Sequence, residues 1–126
     1  MNQINEFPRS VIEKLGFYVY LLIDPRTDKV FYVGKGTGNR IFAHITSAIA
    51  SPLENDKLAQ IRSIKSEGLQ IKYSILRHGL TEKEAFEVEA ALIDYIDLQE
   101  LTNIVAGHGS DSRGLMSITD IVTKYL

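Results

Sequence analysis

Residues 17–36 read FYVYLLIDPRTDKVFYVGKG, and this stretch decides the fold. From Phe17 to Ile23 it is apolar, aromatic and β-branched, the composition of a buried strand. The cluster DPRTD that follows is a turn, with Pro25 fixing φ and Asp24 and Asp28 suited to turn hydrogen bonds. KVFYVG then returns as a second strand, so residues 17–34 form an antiparallel hairpin. With Ile23 opposite Lys29, Tyr20 stands opposite Tyr32, and directly paired residues share a face of the sheet. Two phenols would then lie side by side; a slip of one residue would separate them.

Working outward, GKGTGN closes the hairpin and RIFAHITSAIA continues as a helical pattern, with Arg40 and His44 four apart on one face. Ser51 and Pro52 break it. A second helix runs from about Glu54 to Glu67, with Leu58, Ile61 and Ile64 inward, and Gly68 stops it. LQIKYSIL, residues 69–76, alternates as a third strand that RHG closes. Thr81 and Glu84 then form a capping box opening a helix to about Leu98. At about 100° per residue, Ala85, Val88, Leu92, Tyr95 and Ile96 fall on one arc, with Glu87 and Asp94 opposite. Glu89 sits at about 40° from Ala85, at the edge of that arc. A carboxylate there is costly unless paired, hydrogen-bonded or metal-bound. LTNIV is short and apolar around the single amide of Asn103, GHGSDSRG is a loop, and SITDIVTKYL forms a final helix capped by Ser117 or Thr119.

The chain has 126 residues, 44% hydrophobic and 24% charged. This suits a single domain over 1–126, with a core of about 17–106 and helical extensions at both ends. No apolar run reaches membrane-spanning length, so no membrane partner is expected. The start lacks the basic-then-apolar pattern of a secretory signal. Without cysteine, disulfides, thiolate zinc sites and a cysteine nucleophile are excluded, which points to the cytosol, with association with nucleoid or nucleus open. The net charge of -2 hides an asymmetry: residues 1–80 hold 11 Lys/Arg against 7 Asp/Glu, residues 81–126 hold 3 against 9. If residues 26–72 form a basic face, Arg26, Lys29, Lys57, Arg62 and Lys65 are the candidate phosphate contacts.

GKGTGNR lacks the Walker spacing, and Arg40 stands where the dinucleotide fingerprint needs its third small residue. No H-E-x-x-H and no G-x-S-x-G occurs. What stands out is an ordered set: Y18-V-Y20, Y32-V-G34-K35, Arg40, His44, Glu89 and Asn103. Phosphodiester hydrolysis needs a positioned water, neutralised phosphoryl oxygens and help for the leaving oxygen. Arg40 offers a planar fork to non-bridging oxygens and Lys35 a point charge. Tyr20 and Tyr32 can orient or deprotonate water, provided a cation or metal lowers a phenol whose ordinary pKa is near 10.

The set resembles the GIY-YIG nuclease superfamily, and most closely its branch containing the LEM-domain nucleases. Y18-V-Y20 stands at G-I-Y, Y32-V-G34 at Y-I-G, and Arg40 with His44 at the Arg-x-x-x-His segment. Tyr18 departs from the glycine of the first motif, and the interval from Tyr32 to Arg40 is short. The resemblance implies an α/β (α+β) domain, a small and mainly antiparallel three-stranded sheet surrounded by helices. It also implies a metal-dependent endonuclease cleaving DNA to 5′-phosphate and 3′-hydroxyl ends, with RNA or branched DNA open. Catalytic residues would be Tyr20, Tyr32, Lys35, Arg40, His44 and Asn103, the last holding geometry. Glu89 would hold one Mg²⁺ or Mn²⁺. Two alternatives stand beside this: a non-catalytic nucleic-acid-binding module on the same fold, and a protein-interaction domain using the acidic helix.

Overall fold

A computed structural model describes residues 4–50, 55–96, 101–103 and 113–126. Their elements are α1 (Arg9–Leu15), β1 (Phe17–Asp24), β2 (Lys29–Gly36), a 3₁₀ turn (Arg40–Phe42), α2 (Ala43–Ala50), α3 (Asp56–Ser66), β3 (Lys72–Leu80), α4 (Glu82–Ile96) and α5 (Ile118–Tyr125). The strands form one antiparallel sheet in the order β2-β1-β3. The fold is therefore α+β with a three-stranded antiparallel sheet, as expected. The break at Ser51 and Pro52, the helix start at Glu54, the end near Leu98, and Ile104 to Ser112 with His108 lie outside the described residues.

The hairpin register differs from the expected one. Asp24 pairs with Lys29, Ile23 with Val30, and Leu22 with Tyr32, so Phe31 has no partner on β1 and the register shifts there. The turn is four residues because Asp28 takes a left-handed backbone (φ 58°), which Asp tolerates, with its N–H donating to the Asp24 carbonyl at 2.8 Å. Tyr20 consequently faces Gly34 rather than Tyr32. The two tyrosines still share a face, now diagonally.

The third strand begins later and ends later than expected, because RHG pairs with β1 instead of closing it: Val19 faces Arg77 and Phe17 faces Leu80. Register irregularities on either side of Val19 admit the extra residues. His78 is thus an exposed strand residue.

Two cores flank the sheet. On one face Tyr18, Tyr20 and Leu22 pack with Ile41, Ala48, Leu58, Ile61 and Ile64 beneath α2 and α3. On the other, Val19 and Val33 meet Ala85 and Ile93 of α4 together with Leu101. Each fully buried side chain of this size contributes about 1.5–3 kcal/mol. Leu58, Ile61 and Ile64 point inward as their spacing required. The capping box forms: Glu84 Oε1 accepts from the Thr81 N–H, and Thr81 Oγ1 accepts from the Glu84 N–H. Ser117 caps α5, accepting from the Asp120 N–H at 3.0 Å.

The buried face of α4 is rotated from the expected arc. Tyr95 is 77% exposed, whereas Ala90 and Ile93 are buried beside Ala85. Glu89, one turn from both Ala85 and Ile93, moves from the edge of the packed face toward its middle and is half-buried. Tyrosine reads as apolar in a pattern, but its hydroxyl tolerates water, so an exposed tyrosine on the expected arc carries little cost.

Candidate active site

Two strands and a helix bring together two phenols and an imidazole. Tyr20 of β1 is 1% exposed and His44 of α2 is 2% exposed. The Tyr20 hydroxyl is hydrogen-bonded to His44 Nε2. Tyr32 of β2 completes the cluster, its ring 4.8 Å from the His44 ring and 6.3 Å from that of Tyr20. Gly34 makes this possible, since a Cβ there would lie 2.4 Å from Tyr20 Cζ. Thus the glycine of the second motif is the vacancy into which the tyrosine of the first fits.

Two cations edge the cluster. The Lys57 ammonium stands 4.8 Å from the centre of the Tyr32 ring. Arg40 begins the turn before α2, its stem lying over Gly36, where a Cβ would come 2.5 Å from Arg40 Cγ. Both charges act on the buried groups. Burial, reinforced by Lys57 and Arg40, drives the His44 pKa down to about 3, so the imidazole is neutral at physiological pH. Burial and the Arg40 charge also lower Lys57.

The phenols move the other way. Burial raises Tyr20 well above the ordinary value, as do the charges of Tyr32, Tyr18 and Glu89, against the pull of Arg40. Tyr32 is raised by burial and then by Glu89, again against Arg40. The lowered phenol that the sequence reading required is therefore not supplied by the protein's own cations; desolvation outweighs them. The Glu89 charge, carried on α4, adds to the rise at both tyrosines.

The remaining sequence-derived residues divide. Asn103 does not enter the cluster; it stands behind it, its Nδ2 donating to the Val33 carbonyl at 2.7 Å and its Oδ1 accepting from the Val33 N–H at 3.0 Å. Thr102 adds an N–H donated to the Phe31 carbonyl at 2.7 Å, so this segment completes the outer edge of β2. Lys35 points to α4, with its ammonium 3.9 Å above the Phe86 ring.

Of the expected phosphate contacts, only Lys57 is brought to the cluster. Arg26 is committed to Asp24 at 2.8 Å, Glu67 at 2.5 Å and Ser63 at 2.9 Å. Arg26 holds the Asp24 carboxyl down to about 2, chiefly through their side-chain hydrogen bonds. Arg62 ties α3 to α2 through the Ala48 carbonyl at 3.0 Å. Lys29 is exposed where β2 leaves the turn, and Lys65 borders a cleft with Gln70 and Tyr73.

Comparison with known proteins gives the family. The LEM-3-like GIY-YIG domain matches residues 17–120. The chain is 31% identical over 145 residues to the ankyrin repeat and LEM domain-containing protein 1 homolog of Caenorhabditis elegans, covering 95% of this chain and 20% of that protein. It is 32% identical over 126 residues to ankyrin repeat and LEM domain-containing protein 1 of Mus musculus, covering 79% and 23% respectively. The chain therefore spans about a fifth of the length of these relatives. No solved structure matches. With the tyrosine pair, Arg40, His44 and Glu89 standing in this order on one sheet and its flanking helices, and Asn103 following on the segment bonded to the edge of β2, the chain belongs to the LEM-3-like branch of the GIY-YIG nuclease family.

Proposed function

We propose that the domain is a metal-dependent endonuclease that hydrolyses DNA phosphodiesters. The observation that carries this reading is the Tyr20–His44–Tyr32 cluster edged by the charges of Arg40 and Lys57 and reached by that of Glu89. Phosphoryl transfer asks little covalent chemistry of a protein; positioning and charge stabilisation do most of it. Arg40 takes two non-bridging oxygens through its fork and Lys57 takes a neighbouring phosphate oxygen as a point charge. The phenols orient the attacking water. Neutral His44, bonded to Tyr20, offers the route by which a proton leaves the buried cluster.

A divalent ion fits this donor set in one way. Among the described residues no group of three His, Cys, Asp or Glu side chains could hold a metal. Glu89 alone would therefore hold Mg²⁺ or Mn²⁺, with water and phosphate oxygens filling the other positions, the habit of hard cations that dehydrate reluctantly. When bound, the ion neutralises developing charge and acidifies a bound water.

The test is nicking of supercoiled plasmid with Mg²⁺ by wild type and by Glu89→Gln, with thermal melts and gel shifts on both. Wild type should nick and Glu89→Gln should not, while folding and DNA binding persist. Salt-dependent binding without nicking by wild type would establish the non-catalytic module instead. No salt-dependent binding at all would establish a protein-interaction domain.

A further inference from the structure

Tyr18 occupies the position where the family's first motif has glycine, and its ring is fully buried. Packing explains the ring but not the hydroxyl. A buried hydroxyl costs free energy unless it is bonded, and phenylalanine would fill the same space without that cost. Here the hydroxyl makes two bonds, both to backbone. It donates to the Gly38 carbonyl at 2.7 Å and accepts from the Ile41 N–H at 3.1 Å. Gly38 and Ile41 flank Asn39 and Arg40 in sequence.

The same turn is closed by the Arg40 N–H donating to the Thr37 carbonyl at 3.1 Å, and Gly38 takes a left-handed backbone (φ 56°) to allow it. Tyr18 faces Gly36 across the hairpin, and Gly36 is the residue over which the Arg40 stem lies. One side chain thus fixes the backbone on both sides of Arg40, and its strand partner provides the bed for the Arg40 side chain. Arg40 in turn acts electrostatically on Tyr20, Tyr32, His44 and Lys57.

We propose that Tyr18 is a positioning residue for Arg40: its buried hydroxyl clamps Gly38 and Ile41 so that the guanidinium is held at the phosphate-binding edge of the tyrosine–histidine cluster. This deepens the nuclease reading and rests on it for the identity of the ligand, a nucleic-acid phosphate, but the clamp can be measured without turnover. Misplacing such a group by about 1 Å costs up to roughly a hundredfold in rate.

The experiment uses the full chain and three readouts. In Tyr18→Phe, hydrogen exchange at the Ile41 amide should accelerate about tenfold or more, as expected for a lost hydrogen bond. Duplex-DNA affinity and plasmid nicking should each fall about tenfold with Arg40 present, and by less than about twofold when Tyr18→Phe is added to Arg40→Ala. A purely structural role would lower both backgrounds alike. Gly36→Ala leaves Tyr18 intact and displaces the Arg40 stem, so it should reproduce the affinity loss even where Tyr18→Phe folds poorly. Unchanged Ile41 exchange, equal losses in both backgrounds, or wild-type affinity in Gly36→Ala would each overturn the proposal. Coupling in binding without nicking by wild type would sink the nuclease reading and leave the clamp standing; nicking without coupling would do the reverse.

Discussion

The ring of Tyr20 fills the space that a side chain at position 34 would need. A Cβ on Gly34 would stand 2.4 Å from Tyr20 Cζ and 2.5 Å from its hydroxyl oxygen, and that oxygen is hydrogen-bonded to His44 Nε2. The two motifs are therefore one steric unit. The absent side chain on β2 sets where the phenol on β1 meets the imidazole on α2.

Gly34→Ala follows directly. The added methyl meets the far end of a side chain locked in a packed core, so Tyr20 must tilt and release His44. Overpacking of this kind costs typically about 1–3 kcal/mol. Melts should show that loss, and nicking should fall by at least about tenfold, with salt-dependent DNA affinity retained. Wild-type nicking by Gly34→Ala would mean that the Tyr20–His44 bond has no part in cleavage.

Asn103→Asp tests the edge of the sheet. The amide now donates to the Val33 carbonyl and accepts from its N–H. Aspartate keeps the acceptor and sets a carboxylate oxygen against a carbonyl oxygen. The expected loss is about 1–3 kcal/mol, the usual penalty for stranding a partly buried polar group. Because Val33 lies between Tyr32 and Gly34, activity should fall with it, and as the repelled segment lifts from β2 hydrogen exchange should quicken at the Thr102 amide, which donates to the Phe31 carbonyl. Unaltered exchange there would remove the role assigned to Asn103.

The sequence made the hairpin legible because β-branched and aromatic runs around a Pro-Asp turn admit little else. Its register was not legible. An unpaired Phe31 and a left-handed Asp28 have no compositional mark, and together they shift Tyr32 from opposite Tyr20 to diagonal. Helical periodicity identified the inward side of α3, yet it could not place Lys57. Periodicity reports a residue's angle on its own helix, not which neighbouring ring lies beside it. The role of Tyr18 was hidden for a related reason: a tyrosine in an apolar strand reads as packing, and only the folded chain shows where its hydroxyl goes. Thr81 and Glu84 were legible in full, since a capping box is a local interaction carried by spacing alone.

Burial of neutral His44 gives the domain a signature in acid. Its pKa is about 3 in the folded protein against an ordinary 6.5, so the unfolded chain binds more protons between these limits. Its contribution is complete above pH 6.5 and is lost as pH falls toward 3. Between about pH 7.5 and pH 5 the loss should be about 2 kcal/mol. Urea unfolding at the two pH values measures it, and His44→Gln should remove most of the difference. Asp24, held at about 2 by Arg26, titrates later, contributing stability above its ordinary 3.8 that is lost as pH falls toward 2. A pH dependence in His44→Gln equal to that of wild type would show that the imidazole titrates alike in the folded and unfolded chain and is not held neutral by burial.

The charges sort into two classes that a salt titration separates. Arg40 and Lys57 edge the tyrosine–histidine cluster, and Lys57 stands over Tyr32. Arg26 is spent on Asp24, Glu67 and Ser63. If phosphates are bound at the cluster, Arg40→Gln and Lys57→Gln should each weaken duplex binding and reduce the slope of log affinity against log salt by about 0.9, one phosphate contact apiece. Arg26→Gln should leave that slope unchanged and lower the melting temperature instead, because it strips the buried Asp24 carboxylate of its ion-pair partner. The opposite pattern, a reduced slope in Arg26→Gln with full slopes in the other two, would move the nucleic acid from the tyrosine cluster to the hairpin turn.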